Sequence, residues 1–135
     1  MGKPEVILLD TDVVLWLAFG QVKISKRAKA AIEEARSSGD GLGIAGITLL
    51  EIATLEKKRR ITVQTTLETF LSEVEARFVV LPITDRMCVR TIGLPASFPS
   101  DPADCLIAAT ALAEGIPLVT ADDEIRRSKA VTTIW

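Results

Sequence analysis

Short, largely apolar segments alternate with longer amphipathic segments along the chain. The short segments are residues 6–9, 42–45, 78–81 and 117–120. Apolar runs of this length are typical of strands that are buried on both faces of a parallel sheet. We therefore predict four buried strands, and we expect residues 131–134 to close the sheet as an edge strand.

Helical patterns fill the intervals between these strands. Residues 25–38 and 65–76 repeat apolar positions every three or four residues, as one face of an amphipathic helix requires. Further helices are predicted from residue 13, over 48–58, over 84–92, from residue 101 and over 123–128. Gly39, Asp40 and Gly41 are expected to end the helix over 25–38.

The alternation of strands and helices predicts the fold class. It implies right-handed crossover units, a parallel sheet of four to five strands and helices on both faces, which is a three-layer α/β/α fold. With 135 residues, 48% of them hydrophobic, we expect a single domain over 1–135. No uncharged stretch approaches the about 20 residues that span a bilayer, and the first residues lack a signal peptide's layout, so we expect a cytoplasmic protein without a membrane partner.

The composition of the chain excludes several kinds of catalytic and metal-binding site. The chain has no histidine, which removes the commonest general base, the usual transition-metal ligand and the Ser-His and Cys-His arrangements. Cys88 and Cys105 lack a pairing spacing and are expected to be small buried residues. The net charge of −2 supplies no overall basic field, so a nucleic-acid substrate would need local basic patches or bound cations.

Four acidic residues stand out by their placement. Asp10 and Asp122 follow buried strands, Glu51 is isolated within an apolar helix, and Asp104 lies in the first turn of another. Ligands of open α/β sheets bind outside the carboxyl ends of the strands. Structural explanations remain open for each, since aspartates cap helices and favour the helix dipole. A shared cause is simpler: converging carboxylates hold a hard cation such as Mg²⁺ or Mn²⁺.

Such a metal site suits phosphoryl chemistry. A metal bound by carboxylates activates water and neutralises charge on the scissile phosphate. The cation would also supply the local positive charge that a chain of pI about 5.2 lacks.

Four segments resemble the acidic motifs of PIN domains. They read LLDT at 8–11, ITLLEIA at 47–53, DPADCLIAATA at 101–111 and LVTAD at 118–122. They occur in order and at suitable spacing over nearly the whole chain, and the chain looks most like the VapC-type toxins of bacterial toxin-antitoxin pairs. Three positions depart from the toxin pattern: Asp12 where histidine, asparagine or serine is frequent, Cys105 in place of arginine, and Pro99-Ser100 where histidine is often nearby.

The resemblance implies a PIN-like fold and a Mg²⁺-dependent endoribonuclease, with Mn²⁺ as a substitute. It also implies an RNA substrate, a homodimer, and inhibition by a VapB-like antitoxin. Position by position, it implies that one quartet serves both as catalytic residues and as metal ligands: Asp10, Glu51, Asp104 and Asp122. Thr11 and Thr120 would be supporting hydroxyls.

Two other functions remain open. In a haloacid dehalogenase-like phosphatase, Asp10 would be the nucleophile and Asp12 the acid/base, but Glu51 and the turn over 101–104 would then have no role. A non-catalytic PIN module that binds RNA or protein is the second alternative, and the complete quartet argues against it. The basic segments 23–29, 57–60 and 126–129 are typical of solvated surface and are also candidates for phosphate contacts.

Overall fold

The central sheet has five parallel strands, which confirms the predicted α/β class. The computed structural model describes residues 6–20, 23–38 and 41–135. The strands run in the order β3-β2-β1-β4-β5, and every pairing is parallel. Their bounds are β1 Ile7–Leu9, β2 Leu42–Ala45, β3 Val79–Leu81, β4 Leu118–Val119 and β5 Thr133–Ile134.

Helices connect the strands, and all but one of the described helices begin at a polar cap. Their bounds are α1 Thr11–Ala18, α2 Lys26–Ser37, α3 Gly46–Lys57, α4 Leu67–Arg77, α5 Asp85–Ile92, α6 Pro102–Glu114 and α7 Asp123–Ser128. Ser25 caps α2 by accepting a 3.1 Å hydrogen bond from the amide of Ala28, and Thr84 caps α5 in the same way. Gly39 and Asp40, expected to end α2, lie outside the described residues.

Two hydrophobic cores cover the two faces of the sheet. Leu9 of β1 packs in a core with residues of α1 and α2, whereas its neighbour Leu8 packs in a second core with residues of α6 and α7. Successive side chains of a strand point to opposite faces, so a strand that is apolar at every position serves both cores. This explains why the short runs of the sequence are largely apolar.

Two expectations about burial were wrong. The strand β3 lies at an edge of the sheet rather than within it, and Val79 is 48% exposed, because only β2 pairs with it. Cys88 is exposed on α5, whereas Cys105 is partly covered and its thiol donates a 3.2 Å hydrogen bond to the carbonyl of Pro99. Among the described residues, no helix is long and apolar enough to cross a membrane.

The order of the strands creates a crevice between β1 and β4. The chain proceeds from β1 through β2 to β3 on one side and then returns to place β4 on the other side of β1. The helices that follow β1 and β4 therefore lie on opposite faces, and a gap opens outside the carboxyl ends of these strands. Asp10 directly follows β1, and Asp122 comes shortly after β4.

Candidate active site

One pocket at this edge of the sheet is lined by all four acids of the predicted quartet. Its volume is about 570 Å³. Two further aspartates, Asp12 and Asp101, line the same pocket. The structure therefore brings together carboxylates from four separate segments of the chain, as the hypothesis of a shared site requires.

Asp10 is the most deeply held of these carboxylates. It caps α1, and its Oδ1 accepts a 2.8 Å hydrogen bond from the amide of Thr11. Its Oδ2 accepts a 2.7 Å hydrogen bond from the hydroxyl of Thr120. Burial raises the pKa of Asp10 above its ordinary value, although these two hydrogen bonds oppose that shift. Asp10 is therefore fixed in orientation and is costly to ionise unless a cation is nearby.

Glu51 faces the pocket from the middle of α3. The hydroxyl of Thr11 donates a 2.5 Å hydrogen bond to its Oε1, and the hydroxyl of Thr48 lies 3.0 Å from that of Thr11. Burial raises the pKa of Glu51, and the charge of Asp10 raises it further. The hydrogen bond from Thr11, the residue that follows Asp10, partly offsets the cost of burying the charge of Glu51.

Among the acids of the pocket, Asp104 is the one whose ionisation is most costly. Burial raises its pKa to about 7, and the charges of Asp10, Asp101, Glu51 and Asp122 add to the effect. The described residues donate no hydrogen bond to the side chain of Asp104. The cap of α6 is supplied by Asp101, whose carboxylate accepts hydrogen bonds from the amides of Ala103 and Asp104, at 2.9 and 3.1 Å.

Asp122 and Thr120 connect the site to β4. Asp122 caps α7 by accepting a 3.0 Å hydrogen bond from the amide of Ile125. Its own amide donates a 3.1 Å hydrogen bond to the hydroxyl of Thr120, which in turn donates to Asp10. Asp10, Asp101 and Asp122 each cap a helix and also line the acidic pocket, so capping a helix does not exclude a position in the pocket.

The donor set of the pocket fits a hard divalent cation. All its candidate ligands are carboxylate or hydroxyl oxygens, the donors that Mg²⁺ and Mn²⁺ prefer. The mutual repulsion at Asp104 is of the kind that a bound cation relieves. In the described part of the chain, no three acidic or cysteine side chains are preassembled as a cluster, but Mg²⁺ usually needs only one or two carboxylates and retains several waters.

The pocket also has a basic wall. Lys58 and Arg60 line it together with apolar side chains of α3. The sequence indicates the segment 57–60 as typical of solvated surface and as a candidate for phosphate contacts, without identifying which of its residues face the pocket. The spacing of seven residues from Glu51 to Lys58, which places both on one helical face, is the signal that identifies Lys58.

Comparisons with known proteins agree with this geometry. The PIN domain family matches residues 7–130. Ribonuclease VapC22 of Mycobacterium tuberculosis is 35% identical over 131 residues, which cover 96% of this chain and 98% of that protein. In the structure of VapBC2 from Rickettsia felis bound to promoter DNA, a chain of 16% identity matches with a TM-score of 0.70, covering 95% of this chain and 96% of that one. In VapBC-1 from nontypeable Haemophilus influenzae, the identity is 19% and the TM-score 0.69, with 95% and 96% covered.

Proposed function

Because this chain belongs to the PIN-domain family, we propose that it is a metal-dependent endoribonuclease and the toxin of a VapBC-type pair. The observation that carries the proposal is the convergence of the acidic quartet in one pocket at the crevice between β1 and β4. The 35% identity to a ribonuclease of Mycobacterium tuberculosis supports the ribonuclease activity. The similarity to chains of VapBC2 and VapBC-1 supports a VapB-like antitoxin as partner.

The carboxylates have distinct parts in this proposal. Asp10 and Asp104 are the principal ligands of Mg²⁺, for which Mn²⁺ can substitute, and Asp122 and Glu51 complete the acidic set. When bound, the metal lowers the pKa of water and neutralises charge on the scissile phosphate. The hydroxyl of Thr120 holds Asp10 in its orientation, and the hydroxyl of Thr11 holds Glu51. Asp104 accepts no hydrogen bond from the described residues, so its carboxylate is free to bind the metal.

The phosphatase alternative fits the site less well. It needs Asp10 as a free nucleophile, but both carboxylate oxygens of Asp10 accept hydrogen bonds. It also gives no part to Glu51 or Asp104, although both line the pocket. The family match favours the nuclease.

The test is cleavage of a mixed cellular RNA pool by the purified chain in Mg²⁺ or Mn²⁺, with new ends mapped by sequencing. We expect discrete ends that disappear with EDTA and with Asp10→Asn. The matched control is Glu75→Gln, which removes an exposed carboxylate of α4 and should cleave normally. Cleavage by Asp10→Asn at the wild-type rate, or metal-independent cleavage, would refute the proposed site. Phosphomonoester hydrolysis without RNA cleavage would favour the phosphatase.

The same proposal includes a cytoplasmic homodimer that a VapB-like protein inhibits. The exposed Val89 and Ile92 on α5, at 72% and 87%, support an apolar contact between two copies. Light scattering of the free chain should give the mass of a dimer, and Ile92→Glu should give that of a monomer. Addition of the purified antitoxin should abolish RNA cleavage, and cleavage that persists in a stable complex would refute the inhibitory role.

A further inference from the structure

The pocket has a basic end as well as an acidic one. Ile47, Glu51, Thr54 and Lys58 all line it, and their spacing of four, three and four residues is that of one continuous face of α3. At about 1.5 Å per residue, Lys58 lies about 10 Å along the helix from Glu51. The pocket therefore extends from the carboxylates, past the apolar side chains of Leu50 and Leu55, to the end of α3.

A tight turn at the end of α3 adds a second cation to this wall. Arg59 adopts a left-handed backbone conformation, with φ of 58°. The amide of Arg59 donates to the carbonyl of Glu56 and the amide of Arg60 to that of Leu55, both at 2.9 Å. This pair of bonds is a Schellman motif, in which glycine usually occupies the left-handed position. The turn reverses the chain so that Arg60, like Lys58, lines the pocket.

Both cations are uncommitted. The ion pairs of the described residues are Arg86 with Glu114 and Arg126 with Asp123, so neither Lys58 nor Arg60 is neutralised by a nearby acid. Their neighbours Lys57 and Arg59 belong to the same basic run but do not line the pocket. Lys58 and Arg60 therefore share a pocket with the acidic quartet, whereas Lys57 and Arg59 provide a comparison of equal charge outside it.

We propose that Lys58 and Arg60 form a subsite for a backbone phosphate of RNA that neighbours the scissile phosphate. The proposal rests on the nuclease function proposed above and names the groups that position its substrate. The offset of about 10 Å along α3 places Lys58 to one side of Glu51, toward a neighbouring phosphate of the RNA backbone. The guanidinium of arginine donates two parallel hydrogen bonds to the oxygens of one phosphate, and the ammonium of lysine adds a compact positive charge. These two residues are the local basic patch that a chain of net charge −2 needs to hold RNA.

Two double variants of equal charge test the subsite. Lys58→Ala with Arg60→Ala removes the cations that line the pocket, whereas Lys57→Ala with Arg59→Gly removes two that do not. Binding of a labelled single-stranded RNA of about 12 nucleotides is measured by fluorescence anisotropy in Ca²⁺ at several salt concentrations. Steady-state cleavage in Mg²⁺ then separates KM from kcat, and thermal unfolding confirms that each variant is folded.

We expect Lys58→Ala with Arg60→Ala to raise Kd and KM about tenfold and to change kcat less than about threefold. The slope of log K for RNA binding against log salt concentration should fall in magnitude by about 1.4. The second pair should stay within about twofold of the wild type in Kd and KM. Equal losses in both pairs would show that the charge acts diffusely and would overturn the subsite. Wild-type cleavage with unchanged KM in the first pair would also overturn it while leaving the nuclease intact. A wild-type chain that neither binds nor cleaves RNA would overturn the proposed function itself.

Discussion

The hydroxyl of Thr120 donates a 2.7 Å hydrogen bond to Oδ2 of Asp10, joining residues that follow two adjacent strands. Thr120 is fully buried and also accepts a hydrogen bond from the amide of Asp122. One hydroxyl thus links two carboxylates of the site. This arrangement makes Thr120 the residue whose loss tests whether the orientation of Asp10 matters.

Replacement of Thr120 by valine keeps the shape of the side chain and removes its hydrogen bonds. We expect RNA cleavage and metal affinity to fall about 10-fold to 100-fold, as for other residues that orient metal ligands. The free energy of unfolding should fall by about 1–3 kcal/mol, because a buried acceptor loses its donor. Thr120→Ser restores the hydroxyl and should recover most of both losses. Full activity in Thr120→Val would show that Asp10 needs no support from β4.

The pKa of Asp104 predicts how the stability of the metal-free chain depends on pH. Its pKa is about 7 in the folded state against an ordinary value of 3.8, so between these values the folded state binds more protons than the unfolded state. Stability therefore decreases as pH rises through this window. Asp104→Asn removes the charge and should raise the free energy of unfolding at pH 8 by about 1–2 kcal/mol after allowance for solvent screening.

Thermal unfolding in EDTA at pH 4.5 and pH 8 measures this effect. The difference in Tm between Asp104→Asn and the wild type should be large at pH 8 and small at pH 4.5, where Asp104 is protonated. Glu75→Gln, on the exposed face of α4, should show no such pH dependence. A constant difference at both pH values would mean that packing, and not charge, separates the two proteins.

Metal binding should stabilise the chain, because a cation offsets the cost of burying ionised Asp104 beside other acids. Added Mg²⁺ should raise Tm, since a ligand that binds only the folded state adds about 2.7 kcal/mol at a concentration of 100 times its Kd. The rise should be larger at pH 8 than at pH 6, because Asp104 must lose its proton to act as a ligand. Asp10→Asn and Asp104→Asn should each lose most of the rise. A rise that survives in both variants would place the metal elsewhere.

Arg59 offers a stabilising substitution at the end of α3. Its φ of 58° costs an L-residue about 1–2 kcal/mol, and glycine avoids this strain at a smaller cost in unfolded-state entropy. Arg59→Gly should therefore raise the free energy of unfolding by about 0.5–1 kcal/mol in a urea titration. Lys57→Gly, one residue before the helix cap, should lower it by roughly the same amount. A loss of stability in Arg59→Gly would mean that the arginine side chain stabilises the turn.

Local signals in the sequence predicted most of the fold. The bounds of β2 and α7 agree with the predicted segments 42–45 and 123–128, because apolar runs and polar caps depend on residues close in sequence. The position of β3 at the edge could not be read in this way. Residues 78–81 are as apolar as a buried strand, and only the order of strands in the sheet determines how many neighbours they have. The exposure of Cys88 beside the buried Met87 depends likewise on how α5 packs on α6.

The acidic half of the pocket was predictable residue by residue, whereas the basic half was predictable only as the segment 57–60. Carboxylates at the ends of buried strands converge because parallel strands end at one edge. Arg60 lines the pocket because the chain turns at Arg59, whose backbone is left-handed, and no pattern of apolar residues predicts that turn. Asp12 and Asp101 also line the pocket, and the assignment of individual ligands within it remains the proposal that the variants test.

Asp10 and Asp122 are both helix caps and proposed members of the metal site, which has a consequence for how this protein would lose its activity during evolution. Asparagine caps a helix about as well as aspartate, but it carries no charge to bind a cation. An aspartate codon becomes an asparagine codon by one nucleotide change. Under the proposed function, selection against the toxin would obtain folded, inactive chains in a single step. Such chains would compete with active copies for the inhibitor wherever an antitoxin binds outside the pocket.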